Sequence, residues 1–150
     1  MKHLYDSARV SELQDRLARM TAEQTREWGT MTLPQALAHC SLGFDVALGV
    51  TNPPRMMMGR LFGGLIKRLA LGDDSPFRRN TPTVPSMVVA DEHEFTFERD
   101  RLRALIDRFA AAGPGGCTTH PHAFFGKLTP VEWATIMYKH VDHHLRQFGG

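Results

Sequence analysis

Two short segments of this chain carry the same instruction: Thr32-Leu33-Pro34-Gln35 and Thr129-Pro130-Val131-Glu132. Each is a capping box. The threonine hydroxyl accepts from a backbone N–H of the first helical turn, the Gln or Glu three residues on returns the bond to the threonine N–H, and proline in the first turn gives up a donor that has no helical partner. The two boxes therefore predict two helices, one from Thr32 to about Gly49 and one from Thr129 to the Gly149-Gly150 terminus. In the first, Leu37, Cys40, Phe44 and Ala47 form one apolar stripe and Leu42, Val46 and Val50 another, so this helix is expected to be enclosed on most sides.

Two further helices follow from periodicity. From about Ser7, Val10, Leu13, Leu17 and Met20 line one face while Glu12, Asp15, Arg16 and Arg19 line the other. After Glu94-Phe95-Thr96, Leu102, Leu105, Ile106 and Phe109 repeat at helical spacing opposite Arg99, Arg103 and Asp107, and Gly113-Pro114-Gly115-Gly116 ends the run. Between the second and third of these helices lies a long connection, Thr51 to Glu92, punctuated by Pro53, Pro54, Pro76, Pro82 and Pro85. It holds one short helix, expected around Met57 to Ala70, and only weak strand hints near Val84 to Val89. The expected fold is all-α: a four-helix bundle with a long crossover between helices 2 and 3, as a single domain over residues 1–150. With 150 residues, 42% of them hydrophobic, the chain can bury one core without disulfides.

Charge and cysteine content narrow the function. A formal charge of +2 is far from the basic stripe of a nucleic-acid binder, so no nucleic-acid partner is expected. Cys40 and Cys117 show no CxxC or framework spacing, which suits a reducing cytoplasm. No apolar run reaches the length of a membrane span and the N-terminus shows no signal-peptide core, so a cytoplasmic location and no membrane span are expected. The absence of a GxSxG elbow and of a phosphate-cradling glycine loop disfavours serine hydrolases and nucleotide enzymes.

What remains is histidine. On the last helix Trp133, Ile136, Met137, His140 and His144 share one sector, which sets two imidazoles four residues apart in the core-facing stripe. Burial favours the neutral ring, the form that binds a metal. His39 on the second helix, spaced with Ala36, Gly43 and Val46, has small neighbours that leave room for a facing ring. His39, His140 and His144 would give three nitrogen ligands from two helices and leave a position for water or substrate, as catalytic sites do. Zinc and nickel both suit such a set. His39 alone would read as a hydrogen-bonded core residue, and His120-Pro121-His122 as a surface loop. His3 and His93 read as solvated, Cys40 as a small buried hydrophobe, and Trp28 and Trp133 as core anchors, although either could line a pocket. Arg78-Arg79 could hold an anion. The segment Met56 to Arg68, basic and apolar, could lie on a membrane surface, close the end of the bundle as a lid, or form a homodimer contact.

Several stretches together resemble the DinB-like superfamily: Trp28-Gly29-Thr30-Met31-Thr32, Gln35-Ala36-Leu37-Ala38-His39, His120-Pro121, Phe125-Gly126-Lys127-Leu128-Thr129, Glu132-Trp133, and the run from His140 to Gly149. The resemblance is closest to the branch of short bacterial proteins labelled as a domain of unknown function. It implies an up-down-down-up four-helix bundle with the crossover after the second helix. It also implies a divalent metal held by one histidine of that helix and an HxxxH pair of the last, which here are His39, His140 and His144. Some members of the superfamily are transferases or isomerases that use small thiols. The expected function is accordingly a divalent-metal-dependent enzyme, such as a thiol-dependent transferase or hydrolase acting on a small electrophile, with His143 or His122 as proton carriers. The alternative is a non-enzymatic metal-binding or stress-response protein.

Overall fold

The computed structural model describes residues 1–81 and 83–150; Pro82, one of the prolines of the long connection, lies outside the described residues. Among the described residues five α-helices form: α1 (Ser7–Arg19), α2 (Leu33–Ala47), α3 (Met57–Ala70), α4 (Phe95–Ala112) and α5 (Pro130–Gln147). Among the described residues there is no strand. The hydrophobic run near Val84 to Val89 instead holds one 3-10 turn, Pro85–Met87, because two prolines close by favour a turn over a ladder.

Both capping boxes are made in full. Thr32 N–H donates to Gln35 Oε1 at 2.9 Å, and Thr129 N–H donates to Glu132 Oε2 at 2.7 Å, each returned by the threonine hydroxyl. Asp6 caps α1 and Glu94 caps α4, the latter accepting from Thr96 and Phe97 N–H. Gly113, at φ 62°, ends α4 in a conformation that favours glycine.

One core is shared by four helices. α1 and α2 each pack against both α4 and α5. Leu13 and Leu17 meet Leu37 and Phe44, Leu102, Ile106 and Phe109, and Trp133, Met137, Val141 and Leu145, all buried. α2 is enclosed as its double stripe predicts, with one correction: the helix ends at Ala47, so Val50 lies beyond it and is exposed. Trp28 also departs from expectation. It is half-buried in the irregular segment before α2, and Trp133 alone is a core anchor.

The long connection is tied down by polar bonds more than by apolar burial. Gln35 Nε2 donates to the carbonyls of Ala90 and Asp91, which holds the end of the connection against the start of α2. Lys139 of α5 donates to the carbonyls of Ala70 and Asp73 just past the end of α3. Among the described residues no helix is long and apolar enough to cross a membrane.

Because the Thr129 box both caps α5 and directs the chain into it, Thr129→Ala is expected to cost about 1 kcal/mol, a fall in Tm of roughly 2–4 °C by circular dichroism.

Candidate metal centre

α2 and α5 lie side by side, and their facing stripes bring three imidazoles together. The ring centroids of His39 and His140 are 4.8 Å apart, and His144 is 5.0 Å from each of the other two. One ring nitrogen from each lies within 4.8 Å of the others, an arrangement that could hold a metal ion. Nitrogens at roughly 2.1 Å from a tetrahedral ion stand about 3.4 Å apart, so the rings need to close by about an ångström to share one.

Hydrogen bonds decide which nitrogens face inward. His39 Nδ1 lies 2.8 Å from the Met87 carbonyl, which can only accept, so Nδ1 carries the proton and Nε2 keeps its lone pair. His144 Nδ1 lies 2.8 Å from Gln147 Oε1. Gln147 spends its amide Nε2 on the Trp28 carbonyl at 2.7 Å, which turns its oxygen toward His144 and makes that Nδ1 a donor as well. Both rings are thereby held in the tautomer whose Nε2 can ligate, and such outer bonds are the usual means of orienting a metal-binding imidazole.

His140 is positioned by shape. A Cβ on Gly43 would come within 3.0 Å of His140 Nδ1 and 3.1 Å of Met137 Cε, so a side chain there would press on this ring and on Met137 and shift them by a few tenths of an ångström. The spacing of His39 with Gly43 had suggested this space. The Gln147 and Met87 contacts were not anticipated. Gln147 carried one signal, since it lies one turn beyond His144 on the same helix, whereas Met87 is supplied by the crossover and had none.

The electrostatics favour neutral rings. Burial pushes the His144 pKa down to about 3, with His39 adding to the effect. Burial lowers His39 too, against an opposing bond to Met87, and His140 is held well below the ordinary value by burial and then by the neighbouring histidines. His39 and His144 are buried and His140 is half-buried by residue exposure.

The two expected proton carriers are placed differently. The His143 ring is 5.1 Å from His144 and edge-on to Trp28 at 5.7 Å. It lines a cavity of about 380 Å³ with Trp28, Phe77, Arg79 and Arg146, where the Arg79 guanidinium lies over the Trp28 ring at 3.9 Å. His122 instead organises the loop before α5. Its Nδ1 accepts from the backbone N–H groups of Phe124 and Phe125, its ring stacks on Phe125, and burial lowers its pKa to about 4. His120 is likewise tied into the fold, with Nε2 3.2 Å from the Pro53 carbonyl.

The remaining candidates are structural in their contacts. Cys40 is buried, and burial raises its thiol pKa. Cys117 lies 3.0 Å from the Tyr5 hydroxyl. The histidines expected to be solvated are half-buried: His93 Nδ1 is 2.7 Å from Glu98 Oε1, and His3 lies beside Tyr5.

The site thus defines an all-helical protein with a buried three-histidine cluster between two helices. A family model described as a protein of unknown function, DUF1569, matches residues 5–149, and the chain belongs to that family. No curated protein and no solved structure matches it.

Because the folded chain holds these imidazoles at depressed pKa values, it binds fewer protons than the unfolded chain once the pH falls below the ordinary histidine value of about 6.5. The stability from neutral burial is therefore present above that pH and lost progressively toward pH 4 and below. The expected fall in Tm between pH 7 and pH 4.5 exceeds about 10 °C by scanning calorimetry, and His122→Gln should lessen it.

Proposed function

We propose that this chain is a DinB-like four-helix bundle over residues 1–150, in which α1, α2, α4 and α5 run up-down-down-up, and that it works as a divalent-metal-dependent enzyme on a small electrophile. His39, His140 and His144 are the ligands, with zinc or nickel suited to three imidazole donors. The observation that carries the reading is the convergence of the three rings, with the Nδ1–H groups of His39 and His144 spent on outward acceptors. Three nitrogens from two helices leave a coordination position over. A bound ion supplies Lewis-acid polarisation of the substrate or lowers the pKa of a small thiol co-substrate.

The chain's own residues supply the rest. His143 is the proton carrier, a role supported by its ring lying 5.1 Å from His144 while lining the cavity of about 380 Å³. Arg79, stacked on Trp28, adds a cationic wall that suits an electrophile bearing a carboxylate or another anionic group. His122 has only Nε2 free for a second proton-carrying role, since its Nδ1 is engaged by the loop. The cavity lined by His143, whose ring is 5.1 Å from His144, favours transferase or hydrolase chemistry over a non-enzymatic metal-binding or stress-response role. Both cysteines are free, in keeping with a reducing cytoplasm.

Protein purified without a metal-affinity tag is expected to carry about one equivalent of zinc or nickel by elemental analysis, and His140→Ala to lose it. Gln147→Leu, which frees the His144 ring, should weaken metal affinity by roughly 10- to 100-fold while the helix content by circular dichroism stays unchanged. Less than about a tenth of an equivalent, with melting unaffected by chelator, would overturn the reading.

A further inference from the structure

α3 is mounted on the rest of the molecule by the wrong face for a helix of its composition. Its two buried residues are Gly59 and Gly63, one turn apart. A Cβ on Gly59 would fall 2.3 Å from the Ala123 carbonyl oxygen and 2.7 Å from Phe124 Cα, and one on Gly63 would fall 2.9 Å from the Phe124 carbonyl oxygen. The glycine side is thus pressed backbone to backbone against the loop before α5. Met56 N–H bonded to the Ala123 carbonyl and Lys67 paired with Glu132 at 2.7 Å hold it there.

The large apolar side chains are left outside. Met57, Met58, Leu61, Phe62, Leu65 and Leu69 are all exposed, with Met57 at 76% and Leu69 at 72%. At helical spacing they cover an arc of about 140 degrees, too continuous for scattered surface residues.

Charge identifies what this face meets. From Val46 to Gly72 the sequence has no Asp or Glu, and its cations are Arg55, Arg60, Lys67 and Arg68. Lys67 is spent on Glu132 and Arg55 on the Gly59 carbonyl. Arg60 and Arg68 are exposed and have no carboxylate partner among the described residues; by helical spacing Arg68 falls inside the apolar arc, about 20 degrees from its Met57 edge, and Arg60 about 60 degrees outside that same edge. A second copy set face to face would bring cation against cation, with no carboxylate of the helix to answer it. An anionic bilayer answers both parts of the pattern, since headgroup phosphates meet the two arginines while the apolar arc enters the acyl boundary.

We propose that α3 is a membrane-surface helix that docks the protein, peripherally, on anionic lipid. No span is involved. The helix lies in the interfacial plane with Leu61 and Leu65 at the centre of its buried face and the glycine face toward the protein. This inference is independent of the histidine cluster and stands whether or not that cluster holds a metal.

The test is co-sedimentation of the full chain with vesicles of phosphatidylcholine alone and of phosphatidylcholine mixed with phosphatidylglycerol. Binding to the mixed vesicles is expected to be stronger by about tenfold or more, and to weaken with added salt. Leu61→Glu with Leu65→Glu should abolish it, and Arg60→Glu with Arg68→Glu should reduce it to the level seen with phosphatidylcholine. These side chains are exposed, so melting should be unchanged in both variants. Equal binding to both vesicle types, or binding that survives Leu61→Glu with Leu65→Glu, overturns the proposal. A dimer in sedimentation equilibrium that the same pair of changes dissolves, without vesicle binding, assigns the face to a second copy and also overturns it.

Discussion

Desolvation of imidazole is the constraint on which the centre of this molecule depends. Three rings sit where a charged ring would lose its water, and they repel one another's protonation as well. Neutrality is the only inexpensive state, and a neutral imidazole has one donor and one acceptor nitrogen. The fold assigns those two roles at two of the rings. Met87 and Gln147 take the donor sides of His39 and His144, so that their acceptor sides turn toward each other and toward His140. Among the described residues no donor is bonded to the remaining ring nitrogen of His39 or of His144, which leaves basic lone pairs beside one another in the cluster.

Gln147 connects this centre to the cavity beside it. One end of its amide orients His144 and the other holds the carbonyl of Trp28, the residue whose ring carries Arg79 and faces His143. Two hydrogen bonds thus tie the cavity wall to a cluster histidine. The segment before α2 has little apolar burial of its own, and this polar link is part of what positions it.

Glycine is used twice for close approach, with opposite results. At Gly43 the His140 ring and Met137 fill the space a side chain would take, so a missing side chain makes room for a cluster histidine. Gly59 and Gly63 let α3 lie on the backbone before α5, so missing side chains create a mount and turn the large apolar residues outward. The helical spacing of α3 alone gives an apolar arc with a cationic edge. It does not say which side is covered, so spacing alone admits lid, dimer contact and surface helix, and the Ala123-Phe124 backbone is what takes the glycine side.

The helices themselves were readable from the chain. Capping boxes, terminating glycines and apolar repeats act over a few residues and carry their meaning locally, so α2 and α5 begin where Thr32 and Thr129 predict and α4 stops at Gly113. The same locality placed His140 and His144 on one face. It failed at Trp28 and Val50, whose burial depends on what packs over them from distant segments. The pairing of His39 with the α5 histidines, the roles of Met87 and Gln147, and the exposure of α3 were settled only by tertiary structure. A periodic sequence states which face of a helix is apolar, whereas the partner of that face, and the tautomer of any imidazole on it, depend on groups brought together across dozens of residues.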